Sequence, residues 1–328
     1  MRISIAEART CRFRYRYAGL GIASDRVLHH LPADAEPCRR PDVYLLASAE
    51  AERRLGPQPG ETLFRWNGRF ELSLSRTTDG WQFASDAAAS FAVDPAGTLV
   101  RRMLSVAPCE EAIAEMLVHR ILPRVAQLRG AHVLHASVVA RDGKAAVLCA
   151  ASGHGKSTLA AYLTSQRGWQ LLADDACAFR IEAGVPRVYA TCNTLSLFDD
   201  AADGLGVSRT GSTRSVARGV KHDCAPGSAG GPSSAEPAAI FLLTRPLADE
   251  PAGTERVAAT ESVALLRQQI IQFNPADVTA CSGHLQFLTR VVGRVPVYVL
   301  SYPRRFEAVA EAADLVDRSV PFGRRERP

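Results

Sequence analysis

The sequence predicts an α/β fold with a β-rich N-terminal part and a larger C-terminal part in which apolar strands alternate with helices. Three observations predict it. Alternating polar and apolar stretches, separated by Asn-Gly and Asp-Gly turns, fill much of the first hundred residues. The apolar run at 145–149 is followed by a glycine-bearing loop and then by a helix-like stretch from Leu159. Later apolar runs at 239–243 and 295–300 are interleaved with amphipathic stretches.

Length and composition fit an ordinary globular protein. The chain has 328 residues, 47% of them hydrophobic and 22% charged, which suggests about two domains. No apolar run approaches the roughly 18–20 residues of a membrane span, and the first residues lack the apolar core of a signal peptide. We expect a cytoplasmic protein without a membrane partner. The net charge of +5 is modest and predicts no nucleic-acid partner; the oligomeric state is left open.

The cysteines show no metal-binding pattern. Eight of them are scattered without a C-x-x-C pair or a Cys/His cluster at zinc spacing. We expect them to be reduced and mostly structural.

The N-terminal part, residues 1–106, is predicted to be a small antiparallel domain. Residues 62–66 and 69–74 flank Asn67-Gly68, and 91–93 and 98–100 flank a second turn. In residues 11–17, arginines alternate with aromatic residues. A half-buried strand is favoured there, over a surface for an acidic peptide or nucleic acid.

Residues 107–129 are predicted to form a helix that connects the two parts. One face carries apolar residues (Ile113, Met116, Leu117, Ile121 and Leu122). Pro123 should kink or restart this helix, because it removes a backbone donor. The catalytic part is then placed at 130–328.

A phosphate-binding loop is the clearest functional signal. Its spacing matches the pattern G-x-x-x-x-G-K-S/T, with Ala150 in place of the first glycine. Backbone N–H groups of such a loop surround phosphate oxygens, the lysine reaches the terminal phosphates, and the serine reaches Mg²⁺. The nucleotide-binding residues are predicted to be Ala151, Ser152, Gly153, His154, Gly155, Lys156, Ser157 and Thr158.

Two adjacent carboxylates follow the next predicted strand. Asp174 and Asp175 end the run 169–173, and ligands gather at the carboxyl ends of such strands. A turn or helix cap is the alternative, and it becomes less favoured beside a phosphate loop. His135 lies on a predicted strand at 133–139, and the residues alone favour a buried structural histidine there over a site residue.

Residues 208–236 are rich in Ser, Gly and Pro and carry Arg214, Arg218 and Lys221. This composition predicts a flexible insertion that is disordered without ligand. Together with the β-rich part, it is expected to select the acceptor and not to do chemistry.

Three segments in this order resemble the catalytic domain of HPr kinase/phosphorylase: Leu134-His135-Ala136-Ser137, the Gly-Lys-Ser loop, and Leu172-Ala173-Asp174-Asp175. The most similar members are the HPr-kinase-like lasso-peptide precursor kinases. The resemblance covers residues 128–200 well, extends loosely to about residue 317, and excludes the N-terminal part. Thr158 stands where HPr kinases usually have Glu.

The resemblance implies an α/β P-loop kinase domain of HPr kinase/PEP carboxykinase type and an ATP-dependent serine kinase that uses ATP and Mg²⁺. By carry-over, Asp174 would be the general base, Asp175 and Ser157 would contact Mg²⁺, and His135 would lie beside the transferred phosphate. Which aspartate is the base and which contacts the metal is left open, because a one-residue shift at a strand end reverses the side chains. A cationic contact to the γ-phosphate is expected from Arg245 or Lys221.

The acceptor is expected to be a serine-containing peptide or protein, a lasso-peptide precursor among them. Two alternatives stay open: a small-molecule kinase on the same fold, and a non-catalytic nucleotide-binding protein that docks a peptide. The paired aspartates favour an enzyme, because nucleotide binding alone needs no base.

Overall fold

The structure, a computed structural model, has a mixed α/β fold with three β-sheets. It describes residues 2–35, 40–48, 60–67, 71–85, 89–103, 110–216, 219–227, 230–245, 250–303 and 305–321. The elements of the first part are α1 (Ile5–Thr10), β1 (Phe13–Tyr17), β2 (Leu20–Ser24), β3 (Val43–Leu46), β4 (Gly60–Asn67), β5 (Glu71–Thr77), β6 (Gly80–Ser85), β7 (Ser90–Val93) and β8 (Leu99–Met103).

A helical segment and the second part follow. Their elements are α2 (Glu110–Met116), a π-helix (Leu117–Ile121), α3 (Leu122–Leu128), β9 (His132–Leu134), β10 (Ala136–Arg141), β11 (Lys144–Cys149), α4 (Lys156–Gln166), β12 (Gln170–Ala173), β13 (Cys177–Glu182), β14 (Val185–Tyr189), β15 (Leu195–Phe198), α5 (Asp199–Leu205), β16 (Arg209–Val216), β17 (Gly219–Cys224), β18 (Ser234–Thr244), β19 (Gly253–Arg256), α6 (Ala259–Arg267), α7 (Val278–Val292), β20 (Val297–Ser301) and α8 (Phe306–Ser319).

The first sheet has the order β1-β2-β3-β8-β7-β6-β5-β4. The expectation of an antiparallel sheet is wrong at its centre, where β3 runs parallel to both β2 and β8. Long connections, not hairpins, join these strands, so short turn motifs could not reveal their pairing. The β7–β8 hairpin is confirmed. Asn67 pairs with Glu71, so the connection between β4 and β5 spans 68–70, which lie outside the described residues.

The connecting helix is interrupted where its sequence contains Pro123. The proline lies in the first turn of α3, where its missing N–H costs little, and the π-helix precedes it. The five apolar residues named above are buried. They share one core with residues from the first sheet, such as Phe83 and Phe91, and with Val133 and Ala178 of the second. Because this core is shared across the predicted boundaries at 106 and 129, it does not test them, and they stay predictions.

The second sheet has nine strands, with the path β12-β10-β11-β18-β14-β13-β9 and with β20 pairing β18 and β19. Its centre is parallel, because β11, β18 and β20 all run in the same direction. The strand predicted at 133–139 is split at His135. β9 pairs with β13, whereas β10 pairs with β11 and β12. The backbone bend at His135 thus turns its side chain away from a regular ladder position.

A third, three-stranded sheet has the order β15-β17-β16. It contains much of the segment 208–236 that the composition predicts to be disordered, so that expectation is wrong for residues 209–216 and 219–224. Cross-strand hydrogen bonding to β15 and within the β16–β17 pair satisfies a backbone whose side chains carry little apolar area. Arg218 and the side chain of Arg214 lie outside the described part.

Among the helices that the structure describes, none combines the length and apolar character needed to cross a membrane. Six cysteines lie in the described ranges, and all six are free thiols (11, 149, 177, 192, 224 and 281). Burial raises the pKa of several of these thiols, Cys11 to about 11 among them, which agrees with a structural role.

Candidate functional site

The phosphate loop has the backbone that its sequence predicts. Strand β11 ends at Cys149, the loop follows, and α4 begins at Lys156. Gly153 and Gly155 adopt positive φ angles of 78° and 88°, a region in which an L side chain is strained. Ala150, which replaces the first glycine of the pattern, is not among the residues with positive φ. The N-terminus of α4 therefore opens onto the loop, as an anion site requires.

Lys156 is held in the loop by three acceptors. Its Nζ donates to the carbonyl oxygens of Ala150 at 2.8 Å and Ala151 at 3.4 Å, and to Nε2 of His135 at 3.0 Å. Only 5% of Lys156 is exposed. Burial lowers the pKa of this lysine, and the nearby carboxylates of Asp175 and Asp174 oppose that shift. Two carbonyl oxygens and a histidine nitrogen, all neutral, thus hold the ammonium group at the loop.

His135 connects the loop to the aspartate pair. Its Nδ1 lies 3.0 Å from the backbone oxygen of Asp175, and its Nε2 receives the Lys156 bond. A histidine that accepts at Nε2 must donate from Nδ1, so this geometry selects the neutral Nδ1–H tautomer. Burial and the charge of Lys156 lower the pKa of His135, which favours the same neutral form. His135 therefore holds Lys156 in position and does not itself line the cleft.

Asp174 is the centre of a buried hydrogen-bond network. Its Oδ1 accepts from the hydroxyls of Ser137 at 2.5 Å and Ser157 at 2.9 Å, and its Oδ2 accepts from the backbone N–H of Ser196 at 3.0 Å. Asp174 is 6% exposed. A buried carboxylate is tolerated only with such donors. The loop serine therefore contacts Asp174, whereas the sequence paired it with Asp175 at Mg²⁺.

Asp175 faces the cleft instead of the core. It lines the cleft directly and has a φ of 63°, an uncommon angle for a non-glycine residue that frequently marks a functional position. Nδ1 of His119 lies 3.9 Å from Oδ2 of its carboxylate. His119 belongs to the π-helix, and π-helical turns are enriched at functional sites. The two aspartates thus occupy different environments.

The cleft above the loop has a volume of about 570 Å³. Its inner wall is formed by the phosphate loop, Asp175 and Ser196, and its outer wall by the third sheet and the start of α8. Both predicted cationic residues line it. Arg245 donates to the carbonyl of Gly153 at 2.7 Å, and Lys221 lies over the ring of Phe198 at 5.4 Å. Positive groups therefore reach the cleft from two elements outside the loop.

No protein-family profile matches the chain. No curated protein matches it either. Among solved structures, it is similar to the HPr(Ser) kinase/phosphatase from Coxiella burnetii, with a TM-score of 0.30 and 12% identity over 57% of this chain and 95% of that one. Likeness at this level leaves the function to be inferred from the site itself.

Two side-chain oxygen atoms that could act as Mg²⁺ ligands lie close together at the loop. Ser157 Oγ and Asp174 Oδ1 lie 2.9 Å apart at the start of α4. Within the described residues, no cluster of three or more His, Cys, Asp and Glu side chains could hold a metal alone. Mg²⁺ commonly takes one or two protein oxygens and completes its shell with water and substrate phosphates. The residues present fit such an ion, with Asp174 in the place predicted for Asp175.

The sequence did not predict a functional role for four residues that lie at the site: His119, Ser137, Ser196 and Tyr302. Ser137 lies two positions after His135 in the Leu-His-Ala-Ser segment, on β10, which pairs with the strand that leads into the loop. This short separation from His135 is a signal that the sequence contains. The other three come from distant elements. Tyr302, for example, donates to the carbonyl of Gly155 at 3.3 Å across 147 positions of sequence.

Proposed function

We propose that this protein is an ATP-dependent kinase that transfers the γ-phosphoryl group to a serine hydroxyl of a peptide or protein. The single observation that supports it most is the contact between Ser157 and Asp174 beneath a glycine loop whose lysine is already in place. Phosphoryl transfer asks mainly for positioned cations and for one acceptor of the hydroxyl proton. The site offers both.

The residues divide between nucleotide and acceptor. Lys156 and the loop N–H groups would bind the β- and γ-phosphates, and Arg245 or Lys221 would add positive charge at the γ-phosphate. Ser157 and Asp174 would hold Mg²⁺, which neutralises phosphate charge when bound. His135, neutral and buried, keeps the lysine oriented. Lys156 and Ser157 begin α4 and Asp174 follows the end of β12, so regular structure holds the backbone of these three residues.

Asp175 is the better general base, which reverses the roles inferred from the resemblance. It lines the cleft, whereas Asp174 has both oxygens engaged by three donors. A base must reach the attacking hydroxyl within roughly 3 Å or through one water, and a partly exposed carboxylate that lines the cleft can do so. In the reaction, the serine oxygen bonds to the γ-phosphorus, the bond to the β,γ-bridging oxygen breaks, and Asp175 takes the proton.

We infer that the acceptor serine lies in an extended or unfolded segment. The outer wall combines the half-exposed side chains of Val220 and Phe306 with charged groups, which is typical of a surface that binds a peptide. The resemblance to lasso-peptide precursor kinases makes such a precursor the first acceptor to test. A small-molecule acceptor would use the same phosphate site and differ only at this outer wall.

The function is tested with Lys156→Ala and a matched control, Lys144→Ala, at the opposite end of β11. Lys144 is about one third exposed and pairs with Glu236 at 2.8 Å, far from the loop. Loss of the charge-assisted contact of Lys156 should cost about 1.5–3 kcal/mol in nucleotide binding, and transfer of labelled phosphate to a serine peptide should stop.

Equal transfer by the Lys156→Ala variant and the parent would contradict the loop assignment. Nucleotide binding without transfer to any serine peptide, but with transfer to a small hydroxyl compound, would select the small-molecule alternative. Binding without any transfer or hydrolysis would select the non-catalytic one.

A further inference from the structure

A loop of the N-terminal part is fastened beside the phosphate site. Its residues His30 and Leu31 accept hydrogen bonds at their carbonyl oxygens from the backbone and side-chain amides of Asn193, at 3.1 Å and 3.3 Å. Asn193 lies two residues before β15, the strand that supplies Ser196 to the cleft. The loop around His30 is therefore anchored to the base of the third sheet.

The side chain of His30 makes a second contact with that sheet. Its Nδ1 lies 3.3 Å from Oδ2 of Asp223 on β17, and the two side chains are only 23% and 11% exposed. Asp223 is 8% exposed as a residue. A carboxylate this buried requires donors for both oxygens. The Nδ1 atom of His30 lies within ion-pair distance of one of them.

The other carboxylate oxygen of Asp223 contacts Ser196, which lines the cleft. Its Oδ1 accepts from the hydroxyl of Ser196 at 3.1 Å, and Ser196 and Asp223 are direct partners in the β15–β17 ladder. The backbone N–H of the same Ser196 donates to Oδ2 of Asp174 at 3.0 Å. Ser196 and Asp174 are 7% and 6% exposed. A continuous polar chain thus runs from His30 to the carboxylate that contacts Ser157.

We propose that His30 is a positioning residue of the phosphate site and acts through Asp223 and Ser196 on the carboxylate of Asp174. The N-terminal part then completes the Mg²⁺-nucleotide site, in addition to any role in choosing the acceptor. This inference rests on the proposed function, because its effect is read at the Ser157–Asp174 contact.

The effect of His30 passes along the series of polar contacts one residue at a time. Asp223 Oδ1 orients the Ser196 hydroxyl, which helps to fix the peptide whose N–H holds Asp174 Oδ2. Without His30, Asp223 would keep a charge with one donor fewer and would reorient toward other donors or water. Ser196 would then lose its side-chain anchor, and the Asp174 carboxylate would be free to rotate away from Ser157.

The test measures binding of a non-hydrolysable ATP analogue to the full chain as a function of Mg²⁺ concentration. For His30→Leu we expect the Mg²⁺ concentration at half-maximal binding to rise by about 3- to 10-fold, because the buried Asp223 carboxylate loses one polar contact. His30→Asn should recover most of this loss, because the asparagine amide can donate from nearly the same place as Nδ1. His29→Ala is the matched control, since His29 is the exposed neighbour.

A second comparison separates positioning from folding. In a Ser196→Ala background the chain is already cut between Asp223 and Asp174, so adding His30→Leu should raise the Mg²⁺ requirement no further. Full additivity would overturn the inference, as would equal Mg²⁺ dependence of His30→Leu and the parent. Equal losses in His30→Asn and His30→Leu would assign His30 a structural role only. If the parent protein showed no Mg²⁺-dependent binding of nucleotide, the proposed function and this inference would fail together.

Discussion

Replacing Gly155 with alanine should damage both the stability of the protein and its nucleotide site. Gly155 has a φ of 88°, and its carbonyl accepts the first helical hydrogen bond of α4, from Leu159, at 2.9 Å. An added Cβ would overlap the hydroxyl oxygen of Tyr302 and lie 3.4 Å from its Cζ. Tyr302 is 7% exposed and packed in the core, so it cannot move away freely.

Two costs add at this position. The left-handed backbone costs an L side chain roughly 1–2 kcal/mol, and overpacking against a buried ring costs about 1–3 kcal/mol. Gly143 is the matched control, because it has a similar φ of 74° and no atom within 4 Å of its added Cβ. Gly143→Ala should therefore pay the backbone cost alone, and the difference between the two variants should be about 1–3 kcal/mol.

The assay is denaturant unfolding of both variants, followed by titration with nucleotide. Gly155→Ala should lose nucleotide binding, whereas Gly143→Ala should keep it. Adding Tyr302→Phe removes the overlapping oxygen and should recover part of the stability of Gly155→Ala, while the backbone cost remains. The reasoning would be refuted by equal destabilisation at the two glycines, or by unaltered nucleotide binding in Gly155→Ala.

Three further predictions concern the side chains around the site. Asp175→Asn should lower phosphoryl transfer by about 100- to 10,000-fold with nucleotide binding intact, whereas Asp174→Asn should raise the Mg²⁺ requirement; single-turnover assays across Mg²⁺ concentration would show the roles exchanged if the pattern were reversed. His119→Ala should lower kcat by about 3- to 10-fold with little change in KM for ATP, because it removes the neighbour of the Asp175 carboxylate; an unchanged kcat would exclude this role. Burial lowers the pKa of His132 to about 4. As the pH falls, this histidine therefore binds a proton in the unfolded chain before it does in the folded one, and the free energy of unfolding should decrease between about pH 6.5 and about pH 4. The decrease should not exceed about 1.4 kcal/mol per pH unit, and partial solvent access makes it smaller. Denaturation at pH 7 and pH 5 should show a smaller loss in His132→Phe, and an equal loss in both proteins would assign the pH dependence to other groups.

Local patterns predicted the strand and the helix that flank the glycine-bearing loop. The run 145–149, the Gly-Lys-Ser triplet and the helix after it are contiguous, and each follows from near-neighbour chemistry. The hairpin turns, the amphipathic helices after residue 258 and the aspartates at the end of β12 follow in the same way. These features need no knowledge of distant contacts.

The parallel pairs of the first sheet and the order of the third sheet could not be predicted this way. Parallel strands are joined by long connections, and their pairing leaves no turn signal in the sequence. The segment 208–236 illustrates a second limit. Its Ser- and Gly-rich composition predicts disorder, yet β16 and β17 form a ladder whose backbone bonds do not depend on side-chain identity.

The sequence by itself determined that a glycine loop, a lysine, a serine and two aspartates occur in the order that a phosphate site needs. Only the tertiary structure decided which aspartate meets the serine, because a strand end and the positive φ of Asp175 send adjacent side chains in different directions. It also decided that His119, Ser196 and His30 lie at or behind the site, since elements far apart in the chain are brought together by the shared core. Spacing along a chain records local geometry, whereas contacts across it depend on how apolar faces pack.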